Sequence, residues 1–242
     1  MTKILTNSIF WESYWRNRKF EKSKKMFFSD LLYLLPSNSR LIEIGGFPGQ
    51  YAAYLKRVLN CDITILDFYI NPEKISEIEN INNLESGSIK YIKGDFLTTE
   101  IKDKYQIVCS FGFIEHFINS HELIKKHIDC LEQKGIIFLT IPNFTGLNGL
   151  IQKKFDFENY SKHNIDCMNI EKLDLILKDL KLVNIKVEFF GSPAIWLEEG
   201  AKINKILRYL ICNLLNKFIS LLPIKMSKFF SPYILIFGVK IE

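Results

Sequence analysis

The stretch Leu41-Ile-Glu-Ile-Gly-Gly-Phe-Pro-Gly49 decides how this chain is read. An apolar run of strand length meets closely spaced glycines, and Tyr51–Leu59 follows with helical spacing. A strand–glycine turn–helix unit is where a doubly wound sheet binds nucleotides. Gly45 and Gly46 let backbone approach a ligand, and Gly49 lets helix and strand pack. The nicotinamide pattern GxGxxG fails, because it would need glycine at Phe47 and Gln50. Glu43 sits inside the strand before the glycines, which suits a ligand with a cationic amine better than a pyrophosphate.

The same rhythm continues outward from this unit. Ile63–Leu66, Ile89–Ile92, Ile107–Cys109 and Ile136–Ile141 are strand candidates, the last apolar enough to be buried on both faces. Pro72–Ile81 is a weak helix, and Ser120 can cap another through Leu131. Asn169 can cap a helix using Leu173, Ile176, Leu177 and Leu180, followed by strands near Leu182–Phe190 and Tyr233–Ile241. Upstream, Trp11, Tyr14, Trp15 and later leucines predict helix over 8–35, ended by Pro36. Strands alternating with helices predict an α/β sheet covered on both sides.

Three further groups fall at strand ends. Asp67, 24 residues after Glu43, can accept hydrogen bonds from ribose hydroxyls, and Phe68 offers a ring to an adenine face. Gly94-Asp95-Phe96 ends the third strand, where Asp95 can accept from an adenine amino group. Phe111-Gly-Phe-Ile-Glu-His116 ends the fourth.

Together these elements resemble the class I S-adenosylmethionine-dependent methyltransferases over roughly residues 38–143, with weaker continuation to the end. Glu43-Ile-Gly-Gly-Phe-Pro-Gly49 corresponds to that family's E/D-x-G-x-G-x-G turn. Ile114-Glu115-His116 resembles the L-E-H element of its small-molecule branch, and Lys134–Asn143 its fifth strand. Phe47, Gln106 and Lys134 depart from the pattern. The resemblance implies a doubly wound, mostly parallel seven-stranded sheet with the final antiparallel strand inserted beside the fifth. The implied parts are a helical cap at 1–37, a binding core at 38–191, a helical insertion at 192–231 and a last strand at 232–242. It implies S-adenosylmethionine as cofactor, held by Glu43, Gly45, Gly46, Gly49, Asp67, Phe68, Asp95, Phe96 and Phe111. The expected acceptor is a sugar hydroxyl of a surface-polysaccharide precursor. A quinone or other isoprenoid and a non-catalytic binding module are the alternatives, with a nicotinamide dehydrogenase remote.

The histidines divide. His121 and His127 read as surface positions on a helix. His116 either pins its loop or acts in catalysis. His163, in Ser161-Lys-His-Asn-Ile-Asp-Cys167, is either a surface residue or a base for an acceptor hydroxyl. If either is the base, its ordinary pKa predicts a rate falling below about pH 6.5. No spacing suggests a metal site.

Composition bounds the rest. Of 242 residues, 48% are apolar and 24% charged, which excludes disordered, collagen-like and disulfide-scaffold classes. The 14% aromatic content suggests generous packing or a ring-lined pocket. With 27 lysines against 5 arginines, a nucleic-acid reader is not expected. Cys61, Cys109, Cys130, Cys167 and Cys212 read as reduced core fillers of a cytoplasmic protein. No secretory signal or run of 18 apolar residues is apparent.

The net charge of +5 concentrates at the ends: residues 201–242 carry seven basic residues and one acid. There Ile203, Ile206, Leu207, Leu210, Ile211, Leu214, Leu215, Phe218, Leu221 and Leu222 keep helical spacing, with Lys202, Lys205, Asn213, Asn216, Lys217 and Ser220 expected opposite them. Such a stripe is a lid, a homodimer face or a contact with an anionic membrane.

Overall fold

The computed structural model describes residues 5, 6, 8–16, 18, 20–22, 24–198, 201–221 and 225–241. Seven strands form one sheet: β1 (Arg40–Ile44), β2 (Asp62–Asp67), β3 (Ile89–Lys93), β4 (Tyr105–Phe111), β5 (Leu131–Pro142), β6 (Leu182–Phe190) and β7 (Tyr233–Lys240). Their spatial order is β3-β2-β1-β4-β5-β7-β6. The first five pair in parallel, while β7 runs antiparallel between β5 and β6. This is the expected α/β architecture, with the last strand beside the fifth.

The order reverses between β1 and β4, where Leu41 lies opposite Ile107 and Glu43 opposite Cys109. A crevice at the carboxyl ends of these two strands follows from that reversal, because their connections leave in opposite directions. Alternation along β1 sends Leu41 to one face and Ile42 and Ile44 to the other. One face packs on Ala52, Leu55, Ile75 and Ile78 of α2 (Gln50–Leu59) and α3 (Pro72–Ile81). The other packs on Leu123, Ile124, Leu173 and Leu177 of α4 (Ser120–Asp129) and α7 (Ile170–Asp179). In β5, Ile137, Phe138, Leu139 and Ile141 are all buried, as a strand between two helical layers requires.

Several local expectations are corrected. Residues 8–35 are not one helix: α1 spans Ser8–Arg16, and a short 3-10 turn covers Ser29–Leu34. Helical spacing survives the break because Leu31 in that turn and Phe28 just before it both reach the sheet core. The cap of α4 is Asn119, whose side chain accepts from the Glu122 amide, and Ser120 is its first residue. Leu131 opens β5 instead of closing α4. Two helices unread in the sequence, α5 (Leu147–Phe155) and α6 (Phe157–Tyr160), follow β5.

Within 192–231 the chain forms α8 (Lys205–Tyr209), a π turn (Leu210–Leu215) and α9 (Asn216–Ser220). Asn216 is not on an outer polar side. It donates to the Ile195 carbonyl at 2.6 Å and accepts from the Ile195 amide at 2.7 Å. Leu222 lies outside the described residues. Among the described residues no helix is long and apolar enough to cross a membrane. All five cysteines are unbridged; four are buried and Cys212 is half-buried.

Candidate functional site

Two cavities open over the carboxyl ends of the parallel strands. The smaller, about 470 Å³, is lined by Leu66, Asp67, Phe68, Asp95, Phe96 and Phe113, among others. The larger, about 1030 Å³, lies over β1, β4 and β5 and reaches α6 and the segment at Trp196. Trp11, Trp15, Gly45, Phe47, Gly112 and His116 line both, so the two meet at the β1–β4 crevice.

The glycine turn is shaped by close approach. Gly45 has φ +69°, and a Cβ there would lie 2.4 Å from the Phe113 ring. Its amide donates to the Leu66 carbonyl at 2.8 Å, tying the turn to β2. Phe47, in the place of a glycine, is buried with its ring against Tyr69 and Trp15. The bulk at this position therefore builds cavity wall between α1 and the turn.

Two carboxylates sit beneath the turn. Glu43 is buried, and its Oε2 has no hydrogen-bond partner among the described residues. Burial raises its pKa well above the usual range; the Ala52 amide opposes this, and the Asp67 charge adds to it. A cationic group arriving beside Glu43 would restore its charge. Asp67 accepts from the amides of Phe47 (3.2 Å) and Tyr69 (3.0 Å). Burial still pushes its pKa up to about 6. Asp95 is exposed at the rim, and its carboxylate accepts from the Leu97 amide. Phe68 is half-buried on the smaller cavity, whereas Phe96 is mostly core, edge-on to Phe113 and His127.

Phe111 is placed differently from its expected neighbours. It lines the larger cavity, stacked on Phe28 at 4.3 Å. Phe113, two positions on, takes the wall of the smaller one. The period-2 alternation ends at Gly112, φ +72°, so the spacing after that glycine no longer reports the face.

His116 and His163 come together, with ring centroids 4.8 Å apart. His116 Nδ1 faces the Lys162 carbonyl at 3.0 Å, and His163 Nδ1 the Asn159 carbonyl at 2.8 Å. A carbonyl only accepts, so each ring carries its proton on Nδ1 and keeps a lone pair on Nε2. Burial lowers the pKa of His116 to about 3, with His163 adding to the effect, and that of His163 to about 4. Glu115 completes the group. It is buried, its Oε2 lacks a partner among the described residues, and burial pushes its pKa up to about 8. One ligand atom from each of Glu115, His116 and His163 lies within 4.8 Å of the others. Sequence spacing hides this grouping because His163 is 47 positions from His116. A cation with ligands at about 2.0–2.2 Å would need the three to draw in slightly.

The other histidines split. His121 is on the surface, paired with Asp179 at 2.9 Å. His127 is fully buried, correcting the surface expectation: α4 turns it inward against Phe96, and its Nδ1 donates to the Leu123 carbonyl. Residues not assigned to the site from the sequence complete the walls, chiefly Trp11, Trp15, Phe113, Glu115 and Trp196. The tryptophan spacing in α1 signalled a helix, not that its apolar side roofs a cavity.

Residues 14–187 match the family model of the methyltransferase domain. The chain belongs to that family. It is an S-adenosylmethionine-dependent methyltransferase. No curated protein sequence matches it. Among solved structures, a SAM-dependent methyltransferase from Archaeoglobus fulgidus superposes with a TM-score of 0.57 at 19% identity, over 96% of this chain and 99% of that one. A phosphoethanolamine N-methyltransferase 2 from Haemonchus contortus, solved with phosphomonomethylethanolamine and S-adenosylhomocysteine, gives 0.63 at 13% identity. That match covers 97% of this chain and 57% of the other. A SAM-dependent methyltransferase from Thermotoga maritima gives 0.56 at 17% identity, covering 87% and 86%. At such identities the likeness is one of fold.

The site fits the methyltransferase's cofactor on its own geometry. An orphaned buried carboxylate oxygen at Glu43 suits the amino group of S-adenosylmethionine, and Gly45 and Gly46 leave the backbone bare beside it.

Proposed function

We propose that this methyltransferase O-methylates a sugar, on a precursor of a surface polysaccharide. The supporting observation is the larger cavity's lining. All three tryptophans of the chain, Trp11, Trp15 and Trp196, face it together with Glu115, Asp156, Asn159 and Lys162. Flat apolar rings between hydrogen-bonding groups match the two kinds of surface on a sugar. A quinone pocket would lack such a polar complement.

In this reading the cofactor's nucleoside lies in the smaller cavity, and its amino-acid end reaches past Gly45 to Glu43 on the wall of the larger one. Glu43 takes the amine, Asp67 the ribose hydroxyls and Asp95 the adenine amino group, with Phe68, Phe96 and Phe113 around the base. Bound S-adenosylmethionine supplies a methyl group on a positively charged sulfur that departs as a neutral thioether. The protein's task is alignment, which can contribute several kcal/mol by itself. His116 lines both cavities, so an acceptor hydroxyl beside it stands where the two meet. The hydroxyl proton passes to Nε2 of His116 or His163, and the oxygen bonds the methyl carbon as the carbon–sulfur bond breaks. Burial keeps both imidazoles in the neutral form that a base requires at neutral pH, and it lowers their basicity at the same time.

The Glu115–His116–His163 grouping supports a second reading, in which a divalent cation polarises the hydroxyl. Turnover that survives exhaustive chelation removes that reading. The main proposal is tested by supplying labelled methyl donor to a lysate glycolipid fraction and identifying the labelled product by mass spectrometry. Label in a sugar hydroxyl supports it; label only in quinones or amines overturns it.

A further inference from the structure

The helical rod formed by α8, the π turn and α9 has apolar residues on two opposite sides. Its inner side is accounted for: Ile211 and Ile219 are buried in a small core with Ile195 and Leu197, against Ile151 and Phe155 of α5. Its outer side is not. Ile206 is 70% exposed, Leu210 43%, Leu214 47%, Phe218 61% and Leu221 76%. These positions recur at intervals of four, four, four and three, which places them on one face. Exposed apolar stripes of this kind mark interaction sites.

The charge around the stripe identifies what covers it. Lys202, Lys205, Lys217, Lys225 and Lys228 are all exposed, and no acid occurs between residues 201 and 241. A second copy meeting this face would bring the same excess of lysines onto itself, since a twofold contact pairs a patch with its own copy. An anionic bilayer complements it: the apolar side chains enter the acyl boundary and the lysines meet the headgroups.

The rod is also fixed to the acceptor side of the enzyme. Arg208 donates to the Leu197 carbonyl at 2.9 Å, and Asn216 exchanges two hydrogen bonds with Ile195. The segment so held carries Trp196 and Glu198, which line the larger cavity. We infer that the outer face of this rod rests on an anionic phospholipid surface and brings the larger cavity to an acceptor carried by a lipid. The lipid-borne acceptor rests on the function proposed above; the membrane contact does not.

The experiment is co-sedimentation of the full chain with vesicles of phosphatidylcholine alone, or with about 30 mol% phosphatidylglycerol. The wild type should pellet with the anionic vesicles at low salt, be released at about 0.5 M salt, and ignore the neutral ones. Two variants separate the contributions. Lys202→Glu with Lys205→Glu, Lys217→Glu and Lys225→Glu removes the charge. Leu210→Gln with Leu214→Gln and Phe218→Gln removes the stripe. Each should weaken vesicle binding at least about tenfold while S-adenosylmethionine affinity, by calorimetry, stays unchanged and reports an intact fold. Failure of the wild type to bind at low salt overturns the inference, as does binding by both variants at the wild-type level. A dimer in sedimentation velocity that the stripe variant dissociates also overturns it. None of these outcomes touches the methyl-labelling result.

Discussion

His116 and His163 face one another with ring centroids 4.8 Å apart, each anchored through Nδ1 to a main-chain carbonyl. The His116 anchor lies at Lys162, so the loop after α6 and the turn after β4 hold each other in place, while the His163 anchor at Asn159 is local, four residues back. The contact shows His116 pinning the loop through Nδ1, and it leaves Nε2 with the lone pair that the proposed base would use.

That arrangement changes the pH expectation. An ordinary histidine base would lose activity below about pH 6.5. Here burial holds His116 neutral to about 3 and His163 to about 4. Turnover per folded, donor-bound enzyme should therefore persist to about pH 5 as far as these bases are concerned. His116→Ala or His163→Ala should lower turnover by roughly 10²–10⁴ with donor affinity intact. Full activity in both single variants would leave alignment as the mechanism.

Asp67 supplies a second test. Asp67→Ala should weaken S-adenosylmethionine binding by about 1.5–3 kcal/mol, the range for hydrogen bonds to a charged group. Its pKa is raised to about 6, chiefly by burial, so in the free enzyme it becomes protonated as pH falls through that value. Donor affinity of the wild type should drop across the same range, and that slope should flatten in Asp67→Ala. Titration calorimetry between about pH 5 and 8 reads both. Equal affinity in the two proteins would remove Asp67 from the donor site.

Gly45→Ala should be far more damaging than its size suggests. The new Cβ would meet Phe113 at 2.4 Å, and φ +69° is strained for alanine. A cost of about 1–3 kcal/mol is expected. Phe113→Leu in the same chain should recover only part of it, because the backbone strain remains. Thermal denaturation of the two variants and the wild type measures this, and a melting temperature for Gly45→Ala equal to wild type would refute the close approach.

The parts of the site legible in the sequence are those written in consecutive residues. Glu43, the glycines, Asp67 and Asp95 lie at or just past the carboxyl ends of strands, and the β-α repeat places each of them. The acceptor side was not legible in this way. Trp11, His163 and Trp196 are separated by long stretches and converge only once α1, the loop after α6 and the 192–198 segment pack together. His127 illustrates the limit at a single residue. In α4, Leu123, Ile124 and Ile128 mark the buried side, and His127 falls four positions after Leu123. Its polar chemistry masked a position that helical spacing alone would have put in the core.

His127 also carries a stability prediction that the catalytic residues do not confuse. It is fully buried, and its Nε2 has no partner among the described residues. Burial lowers its pKa from 6.5 to about 4. Between those values the unfolded chain binds the proton and the folded one does not, so stability is present above about pH 6.5 and is lost as pH falls toward 4. The full window is worth roughly 2–3 kcal/mol. Raised carboxyl groups such as Glu115 and Asp67 act in the opposite sense, stabilising most at low pH, so the wild-type curve alone mixes the two. The informative comparison is with His127→Leu, which removes the ionisable group and leaves an apolar side chain against Phe96. Near pH 7.5 the two proteins should differ little in urea midpoint. At about pH 4.5 the variant should be the more stable by roughly 2 kcal/mol. Parallel stability curves for the two proteins would mean that His127 charges without cost and is not held neutral by burial.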